Sequence, residues 1–210
     1  MMKLNSLFNL FFLLKYRKNF KNWKKRNYNP PSPDFAKHQI IRNNNLNNSI
    51  WIETGTYYGE TTNILSKISK KVISIEADKR LCGLANDRFK EKDNVEIING
   101  KSENVLNEIL KNNIDAKNIC LYLDAHLCSD HMTGHNTFGN ENNGTPIMKE
   151  MMIIEKDIIN RERLVILIDD IRLFDKNFQN YSSKNDLVKW CEKNKFDWEI
   201  EHDIFIAKKL

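Results

Sequence analysis

Short apolar runs alternate with amphipathic segments from position 50 to the carboxyl end of the chain. The runs are four to six residues long and rich in Ile, Val and Leu, which is typical of buried strands. Because strands that are apolar almost throughout belong to parallel sheets covered on both faces, the pattern predicts an α/β fold. The predicted strands are 49–53, 71–76, 95–98, 119–123 and 164–168, and the predicted helices between and after them are 59–69, 78–90, 102–112, 146–160 and 185–193.

The predicted architecture is one Rossmann-like, doubly wound domain over residues 34–210. It begins with a helix over 34–49, and its mostly parallel sheet ends in an antiparallel C-terminal hairpin strand within 198–208. Residues 29–33 (NPPSP) predict an extended linker, because proline disfavours helix both at its own position and just before it. Residues 1–33 therefore form a separate N-terminal helical segment with its linker.

The basic character of the chain is confined to one end. The chain has 33 Lys and Arg against 28 Asp and Glu, which gives a net charge of +5. Residues 1–26 hold eight of the basic residues and no acid, so the remainder is acidic by three charges. The segment suits an in-plane helix at a membrane surface, a basic helix that packs on its own domain, or, more weakly, an arm that binds nucleic acid.

Two acidic residues at strand ends accompany a glycine turn. Residues 52–62 read IETGTYYGETT, an E-x-G-x-x-x-G pattern at a predicted strand–helix junction. Gly55 permits a tight turn, and Gly59 lets a ligand approach the helix closely. Glu76 ends the next strand about twenty residues later, where an acid can accept ribose hydroxyls. Thr56 and Tyr57 occupy the crowded positions of a pyrophosphate-binding G-x-G-x-x-G loop, which disfavours a dinucleotide site.

These residues resemble class I S-adenosylmethionine-dependent methyltransferases, and within them the metal-dependent O-methyltransferases of the catechol and macrocin types. The resemblance covers residues 50 to about 175. It implies that the first motif surrounds the methionine moiety of S-adenosylmethionine, that Glu76 holds the ribose, and that two residues after the third strand flank the adenine. The cofactor-binding residues implied in this way are Glu53, Gly55, Tyr57, Gly59, Thr61, Glu76, Ser102 and Glu103.

The resemblance also implies a metal centre formed by Asp124, Asp169 and Asp170, which follow the fourth and fifth strands. Three converging carboxylates are costly to bury unless they bind a cation, and an all-oxygen set suits Mg²⁺. Such an ion would lower the pKa of an acceptor hydroxyl. The alternative is that these acids cap helices or lie in loops, and that Asp170 pairs with Arg172.

Catechol-type enzymes carry a lysine base after the fourth strand, whereas this chain has Asp124-Ala125-His126 there. His126 is the expected base, with Asp124 beside it as the second catalytic residue. The same tripeptide disfavours N-methylation of bases, since amino methyltransferases carry Asn-Pro-Pro-aromatic at this place. The polar insertion 125–144 is expected to form an acceptor lid. Its residues His126, Cys128, His131 and His135 could instead bind zinc.

The sequence thus favours an O-methyltransferase of a small molecule or sugar, assisted by Mg²⁺. The alternatives are a metal-independent enzyme with His126 as base and a silent S-adenosylmethionine-binding scaffold. The expected partners are a small-molecule or glycan acceptor, a membrane surface through residues 1–26 and a second copy of the chain, and no nucleic acid. Four cysteines without CxxC pairing indicate a reducing compartment, so we expect a cytoplasmic protein, peripheral at the inner membrane surface.

Overall fold

The computed structural model describes residues 16–125, 145–157, 161–175 and 181–210. Seven strands form one sheet in the order β3-β2-β1-β4-β5-β7-β6. Of these strands, β7 runs opposite to the other six, which confirms the predicted α/β fold with its C-terminal hairpin. The strands are β1 Ile50–Thr54, β2 Lys71–Glu76, β3 Val95–Asn99, β4 Asn118–Leu123, β5 Arg163–Ile168, β6 Asp197–Glu201 and β7 Ile204–Lys209.

Helices cover both faces of the sheet. The first, α1, spans residues 16–25 of the described chain. The other described helices are α2 Asp34–Asn43, α3 Glu60–Ile68, α4 Lys79–Phe89, α5 Ser102–Asn112, α6 Ile147–Asp157 and α7 Lys184–Asn194, and a 3-10 turn covers Ile171–Leu173. Among the described residues, no helix has both the length and the apolar character that a membrane crossing requires.

Each central strand contributes to two apolar layers. Ile52 and Leu121 belong to the layer under α5, α6 and α7, whereas Trp51 and Tyr122 belong to the layer under α2 and α3. Successive strand residues point to opposite faces, so a strand that is buried on both sides is apolar at nearly every position. This geometry explains why the apolar runs located the strands.

The N-terminal helix α1 is docked on the domain by aromatic side chains. Trp23 is 5% exposed and meets the rings of Tyr28, Phe35 and His202 at centroid distances of 5.1, 6.1 and 4.8 Å. Tyr16 stacks on the ring of Phe35 at 5.0 Å. The described part of the basic segment therefore packs on its own domain, as one of the three sequence alternatives predicted.

Candidate active site at the carboxyl edge of the sheet

The loop after β1 contains three residues with positive φ. Gly55 and Gly59 have φ of +88° and +77°, and Tyr57 between them has φ of +51°. The amide of Gly55 donates to the carbonyl oxygen of Ile75 at the end of β2. A Cβ atom at Gly55 would lie 2.7 Å from the carbonyl oxygen of Asp124. The loop therefore passes directly between the ends of β2 and β4, and only glycine fits at its first position.

Glu53, at the end of β1, is buried below this loop. Its Oε2 atom accepts hydrogen bonds from the hydroxyls of Thr62 and Ser74, each at 2.5 Å. Its Oε1 atom is buried and has no hydrogen-bond partner in the described parts of the chain. Burial raises the pKa of Glu53 to about 8. The sequence indicated Thr61 as the motif hydroxyl, but the hydroxyl that contacts this carboxyl group belongs to Thr62.

Glu76, at the end of β2, connects the two loops that flank it. One carboxylate oxygen accepts from the amide of Tyr57 at 2.7 Å, and the other accepts from the amide of Asp78 at 2.9 Å. Burial raises its pKa, although these amide donors act in the opposite direction. A carboxylate offers about four lone-pair positions, so the two amides leave acceptor capacity for a ligand.

The predicted adenine-flanking residues lie at the start of α5. Ser102 is buried, and its hydroxyl group interacts with the buried carboxyl group of Glu150 on α6. Glu103 pairs with Lys149 of α6 at 3.4 Å. Nearby α6 contributes Glu150, which the sequence did not single out. It is 1% exposed, and burial raises its pKa to about 7.

Asp124, Asp169 and Asp170 line one small cavity of about 10 Å³ beyond the ends of β4 and β5. Lys37 of α2 reaches this cluster, with its Nζ atom 2.7 Å from Asp169 Oδ2 and 3.1 Å from Asp170 Oδ1. Burial alone would lower the pKa of Lys37, but the charges of Asp169 and Asp170 raise it, so the ammonium group stays protonated. The hydroxyl of Tyr122 donates to the same oxygen of Asp169 at 2.5 Å.

Protein cations already pair with two of the three acids of the predicted Mg²⁺ centre, Asp169 and Asp170. Besides the lysine, Arg172 contacts Asp170 at 2.5 Å and also contacts Asp203 in the β6–β7 turn. Over the described ranges, the acids whose oxygen atoms could share one ion are Asp169, Asp170 and Asp203, and Asp124 is not among them. The alternative pairing of Asp170 with Arg172 is what the structure contains.

Several predicted residues lie outside the described ranges. The expected base His126 falls within 126–144, as do Cys128, His131 and His135 and nearly all of the predicted acceptor lid. The residues of this edge that sequence inspection missed are Lys37, Tyr122, Glu150 and Asp203. Only their spatial neighbours distinguish them.

Part of the chain is similar in sequence to known ribosomal RNA methyltransferases. A family model described as ribosomal RNA adenine dimethylase matches residues 34–184. A protein of Methanococcus maripaludis, described as a ribosomal RNA small subunit methyltransferase A, is 45% identical over 65 residues. That match covers 31% of this chain and 24% of the relative, so the chain matches about a quarter of the relative's length.

Two solved structures share the fold. A Streptococcus mutans protein described as a methyltransferase, in complex with S-adenosylhomocysteine, is 14% identical with a TM-score of 0.52, and the match covers 85% of this chain and 97% of that one. A Staphylococcus aureus protein described as a caffeoyl-CoA O-methyltransferase is 17% identical with a TM-score of 0.52, over 99% and 100%. The class I methyltransferase fold is thereby confirmed.

The comparisons correct the expected partners. The prediction that no nucleic acid is involved is wrong, because the family model and the archaeal relative both describe ribosomal RNA methyltransferases. The expectation of a small-molecule or glycan acceptor is not supported either. S-Adenosylmethionine-dependent methyl transfer is supported, whereas O-methylation and Mg²⁺ are not.

Proposed function

The chain belongs to the ribosomal RNA adenine dimethylase family, and from this premise we propose that it transfers methyl groups from S-adenosylmethionine to the exocyclic amine of adenine in ribosomal RNA. One observation carries the proposal. The family model spans residues 34–184, and this range contains α2, all five parallel strands from β1 to β5 and every predicted site residue. The fold supplies the cofactor site, and the family supplies the acceptor class.

The cofactor would occupy the loops after β1, β2 and β3. Ligands of open α/β sheets bind beyond the carboxyl ends of the strands, where the strand order reverses. Here that position is between β1 and β4, beside Gly55. Glu76 has the acceptor capacity for the ribose hydroxyls, and Ser102 would contact the adenine. The unpartnered Oε1 atom of Glu53 is suited to receive the ammonium group of the methionine moiety, directly or through water.

The reaction needs an acceptor for a proton rather than a metal. The amine nitrogen attacks the sulfonium methyl, the carbon–sulfur bond breaks, and S-adenosylhomocysteine leaves as a neutral thioether. The methylated amine then carries a positive charge until it loses one proton. Asp124 follows β4 at the small cavity, and the oxygen atoms of its side chain can accept hydrogen bonds. We infer that Asp124 accepts a hydrogen bond from an N–H of the target amine, orients the amine lone pair toward the methyl group, and passes the proton released after transfer to solvent.

The tripeptide Asp124-Ala125-His126 replaces the Asn-Pro-Pro-aromatic sequence of many amino methyltransferases. That replacement makes the identity of the methylated atom the decisive measurement. The full chain is incubated with S-adenosylmethionine labelled with tritium in the methyl group and with purified small-subunit or large-subunit ribosomal RNA. The RNA is then digested to nucleosides and examined by mass spectrometry. We expect label in N6-methylated adenosine, and label in 2′-O-methylated nucleosides alone would refute the proposal.

Two further arms test the residues. Asp124→Asn removes the charge with little change of shape, and we expect transfer to fall about 100-fold while cofactor binding by calorimetry is retained. Excess EDTA should leave transfer unchanged, because no step uses a divalent ion. Loss of activity in EDTA, restored by Mg²⁺, would contradict the metal-free reaction.

A further inference from the structure

A groove lies between α1 and α2, away from the loops that would hold the cofactor. Its volume is about 470 Å³. Three aromatic and three basic side chains alternate along it, and we call it the α1 groove. It is lined by Tyr16, Arg17, Phe20, Lys21, Lys24 and Phe35.

The aromatic side chains of the α1 groove present ring surface to solvent. Phe20 is 44% exposed and Tyr16 is 36% exposed. Their rings approach Phe35 at centroid distances of 6.4 and 5.0 Å, so the three rings form one aromatic cluster. Exposed rings beside a cleft can stack on the flat face of an unpaired base, and such stacking accepts any of the four bases.

The rim of the groove is cationic. Arg17, Lys21 and Lys24 are exposed, and Lys18 and Lys25 are exposed on the same helix. The remainder of the chain after residue 26 carries a net negative charge. A polyanion is therefore attracted to α1 and repelled by much of the domain, which would orient it as it approaches.

The groove is physically joined to the candidate active site. Phe35 and Lys37 both belong to α2, and Lys37 contacts Asp169 and Asp170 beyond the end of β5. On the other side, Trp23 of α1 contacts His202, the neighbour of Asp203 in the β6–β7 turn. A strand bound in the groove would thus leave it near the cavity that Asp124 lines.

We propose that the α1 groove binds a single-stranded segment of RNA, with a base stacked on the exposed ring of Phe20 and phosphates held by Lys21 and Lys24. The proposal rests on the proposed function and adds a surface that would hold the substrate beside its target base. The geometry favours RNA over a membrane. An in-plane membrane helix needs a broad apolar face turned outward, whereas most exposed side chains on the described part of α1 are basic and Trp23 is 5% exposed against the domain.

The test measures binding of a labelled 12-nucleotide single-stranded RNA to the full chain by fluorescence anisotropy between 50 and 250 mM KCl. Lys21→Gln with Lys24→Gln should reduce the slope of log affinity against log salt by roughly 1.4, because each phosphate contact to a single strand contributes about 0.7. Phe20→Leu keeps apolar bulk but removes the ring, and it should weaken binding about 5- to 100-fold with an unchanged slope.

Matched variants control for folding and for total charge. Phe20→Tyr should bind like the wild type. Lys111→Gln with Lys117→Gln removes two exposed charges near the opposite edge of the sheet and should leave the slope unchanged. If this pair alters the slope as much as the groove pair does, or if Phe20→Leu binds normally, the groove proposal is wrong.

Methyl transfer is measured in the same preparations so that the two proposals can fail separately. Absence of transfer together with groove-dependent RNA binding would refute the proposed function and support the groove. Methyl transfer by the wild type, together with groove variants that bind RNA normally, would support the proposed function and refute the groove. Vesicles of phosphatidylserine and phosphatidylcholine provide the last arm: groove-dependent vesicle binding that the RNA does not displace would overturn the RNA assignment.

Discussion

Two glycines illustrate how strongly the cofactor loop is constrained at single positions. Gly55 has φ of +88°, and a Cβ atom there would lie 2.7 Å from a backbone oxygen of Asp124. Gly83 lies within α4, and a Cβ atom there would meet nothing within 4 Å. We expect Gly55→Ala to destabilise the domain by about 2–4 kcal/mol and to weaken cofactor binding at least 10-fold, because both strain and collision arise.

Gly83→Ala is the matched control, since it adds the same methyl group. It should stabilise α4 by about 0.5–1 kcal/mol and leave cofactor binding unchanged. Urea unfolding and calorimetry with S-adenosylhomocysteine measure both quantities. Equal effects of the two substitutions would show that the loop geometry has no special role.

The buried carboxyl group of Glu53 predicts a pH dependence of stability. Burial raises its pKa to about 8, so between about pH 4.5 and 8 the folded chain binds a proton that the unfolded chain has released. Stability associated with this group is therefore complete below pH 4.5 and is lost as the pH rises through 8, at no more than about 1.4 kcal/mol per pH unit. Glu53→Gln should remove this part of the pH dependence, and Glu199→Gln, at an exposed position, should not. Parallel pH profiles for wild type and Glu53→Gln would contradict this assignment.

Individual residues also show which parts of the candidate site could be located from the sequence and which could not. Glu53 and Glu76 were identifiable because each ends an apolar strand, and the end of a parallel strand places a side chain at the ligand edge. Lys37 was not identifiable, since its contact with Asp169 joins residues 132 positions apart. Asp169 and Asp170 were correctly placed near Asp124, but the cation beside them was expected to be a metal.

At the scale of elements, Arg161 secures the end of α5. It is 3% exposed and donates to the carbonyl oxygens of Leu110 and Asn113 at 2.7 and 2.6 Å, while its Nε atom pairs with Asp157. The last carbonyls of a helix have no partner within the helix, so a guanidinium group satisfies them. We expect Arg161→Met to lower the free energy of unfolding by about 2–4 kcal/mol.

Arg163, two residues further along, is exposed and provides the control. Arg163→Met should change the free energy of unfolding by less than about 0.5 kcal/mol. Hydrogen exchange adds a local measurement, because amides in the last turn of α5 should lose protection in Arg161→Met alone. Unchanged protection there would show that Arg161 does not support the helix end.

Element boundaries were predicted best where apolar runs meet polar segments. The predicted strand 71–76 is reproduced as β2, and the predicted helix 102–112 is reproduced as α5. The helix predicted over 34–49, with its end in the Asn-rich turn 43–48, ends at the start of that turn, at Asn43, where the side chain of Asn44 donates to the carbonyl oxygen of Ile40. Competition of an asparagine side chain for helix carbonyls depends on local geometry, which hydrophobic periodicity does not encode.

In the molecule as a whole, α1 and the β6–β7 turn meet at the carboxyl edge of the sheet. Trp23 of α1 contacts His202, and Lys37 of α2 contacts acids that follow β5. The segment before the sheet thus contributes both a basic surface and the counter-charge of a buried acid cluster. The separation of charge along the sequence becomes, in three dimensions, a cationic helix beside an acidic strand edge.

In this arrangement Lys37 supplies the positive charge beside Asp169 and Asp170 that the sequence had assigned to a metal ion. Lys37→Met leaves Asp169 and Asp170 with one fewer cation in a buried position, and we expect the free energy of unfolding to fall by about 2–4 kcal/mol. Lys71→Met is the matched control. Lys71 pairs with Glu96 at the surface, where both side chains are 40% and 51% exposed, so its loss should cost less than about 1 kcal/mol.

Addition of Mg²⁺ tests whether the positive charge beside Asp169 and Asp170 comes from Lys37 or from a bound metal ion. A ligand that binds only the folded state raises its stability in proportion to the logarithm of ligand concentration. Because the ammonium group of Lys37 already lies between Asp169 and Asp170 at 2.7 and 3.1 Å, 10 mM MgCl₂ should not raise the melting temperature of the wild type above that in KCl of equal ionic strength. In Lys37→Met, by contrast, the same addition should recover part of the lost stability, since the acids then lack their ammonium partner. A magnesium-dependent rise in the wild type, abolished by Asp169→Asn, would show that these carboxylates bind the ion with the lysine present.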